Sequence, residues 1–170
     1  MTHAVILPTG DEIQSGLVID TDSPAIIARL LRLFPCLQIT RAAPLPDSAD
    51  AIHNAVNDWT AQGISLLILI GGSGGGSRFS STLSADHTAN TLSNMLTEQA
   101  TKEIWGKNGH LWCKLVLGKH GQTLVLNLPG PYVEAVAAFD AFCETYQKHP
   151  TALGHIVTAM ANAVLAQYPT

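Results

Sequence analysis

Leu66-Leu67-Ile68-Leu69-Ile70-Gly71-Gly72-Ser73-Gly74-Gly75-Gly76-Ser77 joins five consecutive apolar residues to a loop of nearly bare backbone. A run of that length and composition reads as a strand buried on both faces, as in a parallel sheet covered by helices. Glycines placed directly after it let the chain turn with positive φ and bring its N–H groups close to a ligand. Successive N–H groups in that geometry form a concave nest for phosphate or a similar anion. A flexible Gly/Ser linker or a tight turn shares the composition. The position between a buried strand and a helical segment favours the nest.

Working outward, elements alternate. Ala4-Val5-Ile6-Leu7 reads as a short buried strand that breaks at Pro8-Thr9-Gly10-Asp11. After an irregular segment, Asp22 or Ser23 caps a helix with Pro24 in its first turn, and Ile26, Ile27, Leu30, Leu31 and Phe34 repeat at helical spacing until Pro35. Leu37, Ile39 and Ala42 mark a second strand. Asp47 or Ser48 caps the next helix, with Ile52, Val56 and Trp59 on one face and Gly63 as its stop. Downstream of the glycines, Leu83, Leu92, Met95 and Leu96 belong to a Ser/Thr-rich helical region. Residues 112–117 and 123–128 read as two strands joined by Gly118-Lys119-His120-Gly121. Pro129-Gly130-Pro131 opens a long helix with Val133, Val136, Ala137, Phe139 and Phe142 inward, and a last helix spans 152–168 with Ile156, Val157, Met160 and Val164 inward. The alternation predicts a three-layer α/β fold, a mostly parallel sheet with helices on both faces and a ligand crevice at the carboxyl ends of its strands. Thr9-Gly10-Asp11, residues 71–77 and Pro129-Gly130 each follow a strand, so they converge on one rim.

Composition bounds the function. The 170 residues suffice for one domain with its own core. Hydrophobic residues make up 46%, charged ones only 13%, which excludes intrinsic disorder and predicts surface covered by further copies of the chain, a homo-oligomer. No apolar run approaches a membrane span, and Met1-Thr2-His3 lacks the basic start of a signal peptide, so a cytoplasmic location is expected. Cys36, Cys113 and Cys143 are read as reduced, buried thiols, and His110-Leu111-Trp112-Cys113 as a strand-edge coincidence rather than a ligand pair. A net charge of −4 argues against nucleic acid. A small anionic ligand remains compatible, because a few local donors outweigh a weak overall field within a Debye length of about 8 Å. No histidine has the spacing of a Ser-His-Asp relay.

Five motifs in order carry a family resemblance. Thr9-Gly10-Asp11-Glu12, Asp20-Thr21-Asp22-Ser23, Pro46-Asp47 before a helix, Gly71-Gly72-Ser73-Gly74-Gly75-Gly76, and Asn127-Leu128-Pro129-Gly130 resemble the molybdopterin-binding domain family over residues 3 to about 146. That family includes small molybdopterin adenylyltransferases, a domain of molybdopterin molybdenumtransferase and the CinA-like domain. The first segment looks most like the latter two branches, where the position of Asp22 is usually asparagine. The resemblance implies molybdopterin, or a related phosphorylated pterin, as ligand. It implies binding roles for Thr9, Gly10, Asp20, residues 71–77 (Gly71, Gly72, Ser73, Gly74, Gly75, Gly76 and Ser77), Arg78, Ser81, Pro129 and Gly130. Lys114 lies near a position where the adenylyltransferases carry a Ser-Arg pair and is a further phosphate contact; a solvent-facing strand lysine is the alternative.

One departure matters more than any match. Phe79 occupies the family's aspartate position in the glycine loop. Adenylyl transfer rests on positioning and on charge neutralisation by magnesium held on carboxylates, which phenylalanine cannot supply. Asp86, or Asp11 with Asp47, are the candidate replacements as catalytic carboxylates; loss of activity is favoured over either, with Phe79 a core side chain or a ring stacked on the ligand. Three functions follow: a pterin-binding accessory factor of molybdenum cofactor biosynthesis or molybdoenzyme maturation that partners molybdoenzymes or cofactor-synthesis proteins; an adenylyltransferase using ATP, magnesium and a displaced carboxylate; or a CinA-like pyrophosphatase remnant kept as a scaffold. The family implies a trimer.

Overall fold

The computed structural model describes residues 1–74, 87–107 and 109–168. In chain order they form β1 (His3–Pro8), α1 (Asp11–Gln14), α2 (Asp22–Leu33), β2 (Gln38–Arg41), α3 (Ala49–Ala61), β3 (Leu66–Ile70), α4 (His87–Met95), β4 (Thr97–Trp105), β5 (Leu111–His120), β6 (Thr123–Leu128), α5 (Tyr132–Lys148) and α6 (Leu153–Leu165). One six-stranded sheet has the order β2-β1-β3-β6-β5-β4. The first four strands in that order are parallel, while β5 and β4 complete one edge as an antiparallel meander.

All five residues of β3 are buried because both faces of the sheet are covered. Side chains alternate along a strand. Leu66, Ile68 and Ile70 therefore join Ile26, Leu30, Phe139, Phe142, Ile156 and Met160 of α2, α5 and α6, whereas Leu67 and Leu69 join Ile52, Val56 and Leu92 of α3 and α4. These are the three layers expected from the sequence. Among the described residues, no helix is long and apolar enough to cross a membrane.

Local chemistry accounts for the boundaries, and it corrects several expectations. Ser48 caps α3 by accepting from the Ala51 amide at 3.4 Å. Neither Asp22 nor Ser23 caps α2; the carboxylate of Asp20 accepts from the Ser23 amide at 2.9 Å, and the Ser23 hydroxyl is buried without a partner. The short α1 and the strand β4 carry no periodic apolar signal. Most of β4 is exposed and polar, as suits an edge strand that must not pair further. Gly118, Lys119 and His120 extend β5 rather than turning, and the chain reverses at Gly121 and Gln122. The buried face of α5 is rotated toward Glu134, Ala135, Ala138 and Cys143, leaving Val133 exposed. Leu31 is exposed too, and so is Cys36, contrary to its reading as a buried thiol. Burial pushes the Cys143 thiol up to about 12, so it is chemically inert at neutral pH.

Candidate functional site

Three strand ends are drawn together by main-chain bonds at the carboxyl rim. The Thr9 amide donates to the Ile70 carbonyl at 2.8 Å, the Gly10 amide to Leu45 at 2.9 Å, and the Gly71 amide to Leu128 at 3.1 Å. The buried Thr9 hydroxyl reinforces this, donating to the same Ile70 carbonyl at 3.1 Å and meeting the Thr88 hydroxyl at 3.2 Å. Packing is close enough to dictate glycine. At Gly71, where φ is 105°, a Cβ would stand 2.5 Å from the Thr9 carbonyl oxygen. At Gly74 it would collide with the carbonyl of Trp112. The Ser73 carbonyl accepts from the Lys114 amide at 2.5 Å, tying the glycine loop to β5.

Beyond these contacts opens a cleft of about 630 Å³. Thr9, Gly10, Asp20, Asp47, Gly71, Gly72, Ser73, Gly74, Pro129 and Gly130 all line it, so the convergence expected from the sequence is observed. The Gly71 amide is engaged by Leu128, so Gly71 shapes the cleft by close approach and not by a free N–H. Lys114 does not line the cleft; its ammonium reaches the Asn90 side chain at 3.4 Å. Gly75, Gly76, Ser77, Arg78, Phe79, Ser81 and Asp86 lie outside the described residues.

Carboxylates dominate the rest of the cleft. Glu12, Asp20, Asp22, Asp47 and Glu134 line it, with no lysine, arginine or histidine among the described lining residues. Asp11 stands behind Asp47, its carboxylate accepting from the Asp47 amide at 3.1 Å. Burial raises the Asp47 carboxyl above its ordinary range, and the neighbouring charges of Glu12 and Asp11 add to the rise. Burial would also raise Asp20, but hydrogen bonds from Ser23 and Arg41 outweigh it and hold this carboxyl below its usual value. The Arg41 guanidinium lies 2.9 Å from Asp20. Asp22 has no cation paired to it among the described residues; burial lifts it to about 6, the Thr21 hydroxyl opposes the rise, and the charge of Asp20 assists it.

Asp11 and Asp47 are thus brought together as the sequence suggested, yet among the described residues no three His, Cys, Asp or Glu side chains stand close enough to hold a metal ion. Magnesium is commonly held by one or two carboxylates together with substrate phosphates and water, so Asp11 and Asp47 would hold it only with a phosphate bound beside them.

Several functional features were not legible in the sequence. The Trp112 and Tyr168 rings meet at a tilt of 39° with centroids 4.6 Å apart on the cleft wall, and the Tyr168 hydroxyl donates to Glu134. Buried Asn127 accepts from the Val116 amide at 2.7 Å and donates to the Lys114 carbonyl at 2.9 Å. It replaces the ladder bonds where β5 leaves β6, which is what lets β5 reach the Ser73 loop. Its place in the Asn127-Leu128-Pro129-Gly130 motif was the available signal. For Tyr168 there was none.

Comparisons with known proteins agree with this arrangement. The model of the probable molybdopterin binding domain matches residues 5–149. The chain is similar to the molybdopterin biosynthesis enzyme MoaB of Thermus thermophilus at 22% identity and TM-score 0.62, covering 95% of this chain and 98% of that one. The tungsten cofactor synthesizing protein MoaB of Pyrococcus furiosus superposes at 15% identity and TM-score 0.62, with 95% and 98% coverage. CinA of Thermoplasma acidophilum does so at 17% identity and TM-score 0.58, with 86% and 96% coverage. No curated protein matches the sequence. The structural likenesses establish the fold, and the domain match spans all three strand-end loops that build the cleft. The chain belongs to the family of probable molybdopterin-binding domains.

Proposed function

We propose that this protein binds molybdopterin, or a related phosphorylated pterin, in the cleft at the carboxyl rim, and serves molybdenum cofactor biosynthesis or molybdoenzyme maturation without completing adenylyl transfer. The observation that carries this reading is the meeting of Thr9-Gly10, residues 71–74 and Pro129-Gly130 around one cavity of about 630 Å³. That size suits a ligand of drug-like dimensions. A phosphate belongs at the glycine loop, where the backbone is bare; the carboxylates elsewhere in the cleft repel it, which orients the ligand and leaves its polar N–H groups for those acceptors. Phe79 removes the family's carboxylate, so positioning survives and the charge neutralisation needed for phosphoryl chemistry does not.

A second reading, an adenylyltransferase using ATP and magnesium, draws support from the contact between Asp11 and Asp47. Incubation with molybdopterin, ATP and magnesium separates the two. The expected result is retention of molybdopterin on the protein without pyrophosphate release, and a gain of magnesium-dependent release in Phe79→Asp. Release by the unaltered protein would transfer the assignment to the second reading, and failure to retain molybdopterin would refute the first.

Self-association belongs to the same proposal. Leu17 and Ile19, 84% and 81% exposed at the edge of the cleft, are apolar residues that a further copy of the chain would cover, and the family suggests three copies. Molybdoenzymes or cofactor-synthesis proteins are the proposed recipients of the bound pterin.

A further inference from the structure

The Trp112 wall of the cleft, which adjoins the glycine loop at Gly74, contains a ring, a carboxylate and an occupant. Glu134 lies in the first turn of α5 and is 8% exposed, with no lysine or arginine paired to it among the described residues. An uncompensated buried carboxylate is costly unless donors satisfy it. Here the donor is the Tyr168 hydroxyl, and the same tyrosine places its ring on Trp112, centroids 4.6 Å apart. Tyr168 thus presents a flat ring to an indole and a hydrogen-bond donor to a carboxylate. A 2-amino-4-oxopyrimidine edge offers the same pair of features, since its amino group and adjacent ring N–H both donate to one carboxylate while its face stacks.

Tyr168 also lies beyond the region that matches the family, which ends at residue 149. It comes from the residues that follow α6, a helix packed by Ile156, Val157, Met160 and Val164 against the sheet. A segment outside the last turn of a packed helix opens at lower cost than the helix itself.

We propose that Trp112 and Glu134 form the subsite for the aminopyrimidinone ring of the ligand, and that Tyr168 fills this subsite in the free protein and leaves it when the ligand enters. The inference rests on the pterin-binding reading above. Displacement of Tyr168 reduces apparent affinity by the fraction of time the subsite is closed. Once admitted, the ring gains charge-assisted hydrogen bonds to Glu134.

The test uses the whole chain, with 6-hydroxymethylpterin as a probe of the ring subsite and inorganic phosphate as a separate probe of the glycine loop, each followed by calorimetry. Tyr168→Ala is expected to bind the pterin at least about threefold more tightly than the unaltered protein. Tyr168→Phe, which keeps the ring and loses the Glu134 bond, should fall between them, and it serves where the alanine variant fails to fold. Glu134→Gln added to Tyr168→Ala should weaken pterin binding by about tenfold or more. Phosphate affinity should be the same in all variants. Unchanged or weaker pterin binding after removal of the Tyr168 hydroxyl or ring overturns the inference, as does indifference to Glu134→Gln. If phosphate still binds in that case, the glycine-loop reading stands and only the ring subsite falls; loss of both probes in every variant refutes both.

Discussion

Asp22→Asn should make the protein more stable at neutral pH and leave it unchanged in acid. Asp22 is 7% exposed at the start of α2, with Asp20 nearby and no cation paired to it among the described residues. The helix N-terminus favours its negative charge, but desolvation wins, and the carboxyl is raised from 3.8 to about 6. A group whose pKa is raised on folding lends stability that is complete below its unfolded value and is lost as pH climbs through the folded one. The window here runs from about pH 4 to about pH 6. Two units correspond to roughly 3 kcal/mol at 1.36 kcal/mol each. The side chain borders a water-filled cleft, so about half of that, on the order of 1–2 kcal/mol, is a fair expectation. Asparagine keeps the oxygen that accepts from the Thr21 hydroxyl at 3.4 Å and removes the charge. Thermal melts should show Asp22→Asn about 2–8 °C above the unaltered protein at pH 8. At about pH 3, below the unfolded value, the two curves should coincide. A shift of equal size at both pH values would refute the electrostatic account, as would an asparagine variant no more stable at pH 8.

Three further perturbations test the rim. Asn127→Ala leaves the Val116 amide and the Lys114 carbonyl buried without partners, and urea unfolding should register a loss of about 2–4 kcal/mol; a loss below about 1 kcal/mol would mean water replaces the amide. Gly74→Val should destabilise the fold by about 1–3 kcal/mol because its Cβ collides with the Trp112 main chain, so a variant with normal urea stability would contradict the packing. Leu17→Glu with Ile19→Glu alters only exposed side chains, and light scattering should show a smaller assembly with an unchanged melting temperature; an unchanged mass would remove this loop from the interface.

How much of this could be read in advance depended on whether the information was local. β3 and the loop after it were legible because burial on both faces demands an unbroken apolar run, and because abrupt passage to glycine has few structural meanings. The inward faces of α3 and α6 followed from helical spacing for the same reason. β4 was not legible: an edge strand satisfied on one side by β5 needs no apolar alternation, and Thr97–Trp105 is mostly polar. The cap of α2 was misassigned because Asp20, Asp22 and Ser23 are all good capping residues. Only the fold shows which one reaches an amide. Gly74 was legible as special, and the fold adds a reason that the sequence did not show, since the Trp112 main chain excludes a side chain there. The partnership of Trp112, Glu134 and Tyr168 spans 56 positions and joins β5, α5 and the segment after α6, and no local pattern encodes it.

The charge of the cleft ties the site together. An anion-binding loop would ordinarily be set among cations, yet the described walls carry Glu12, Asp20, Asp22, Asp47 and Glu134, and the nearby Arg41 is held by Asp20. Such a cavity discriminates by polarity along its length. Phosphate approaching the carboxylate side meets like charges in a partly desolvated space, where repulsion is several times stronger than in bulk water. A heteroaromatic ring with amino and ring N–H donors meets complementary acceptors there. The same ligand reversed would put both ends against the wrong partner. Specificity then comes as much from the penalty for the reversed pose as from any bond in the correct one. On the proposed reading, a bare glycine loop sharing its cleft with carboxylates would select molecules that are anionic at one end and hydrogen-bond donors at the other.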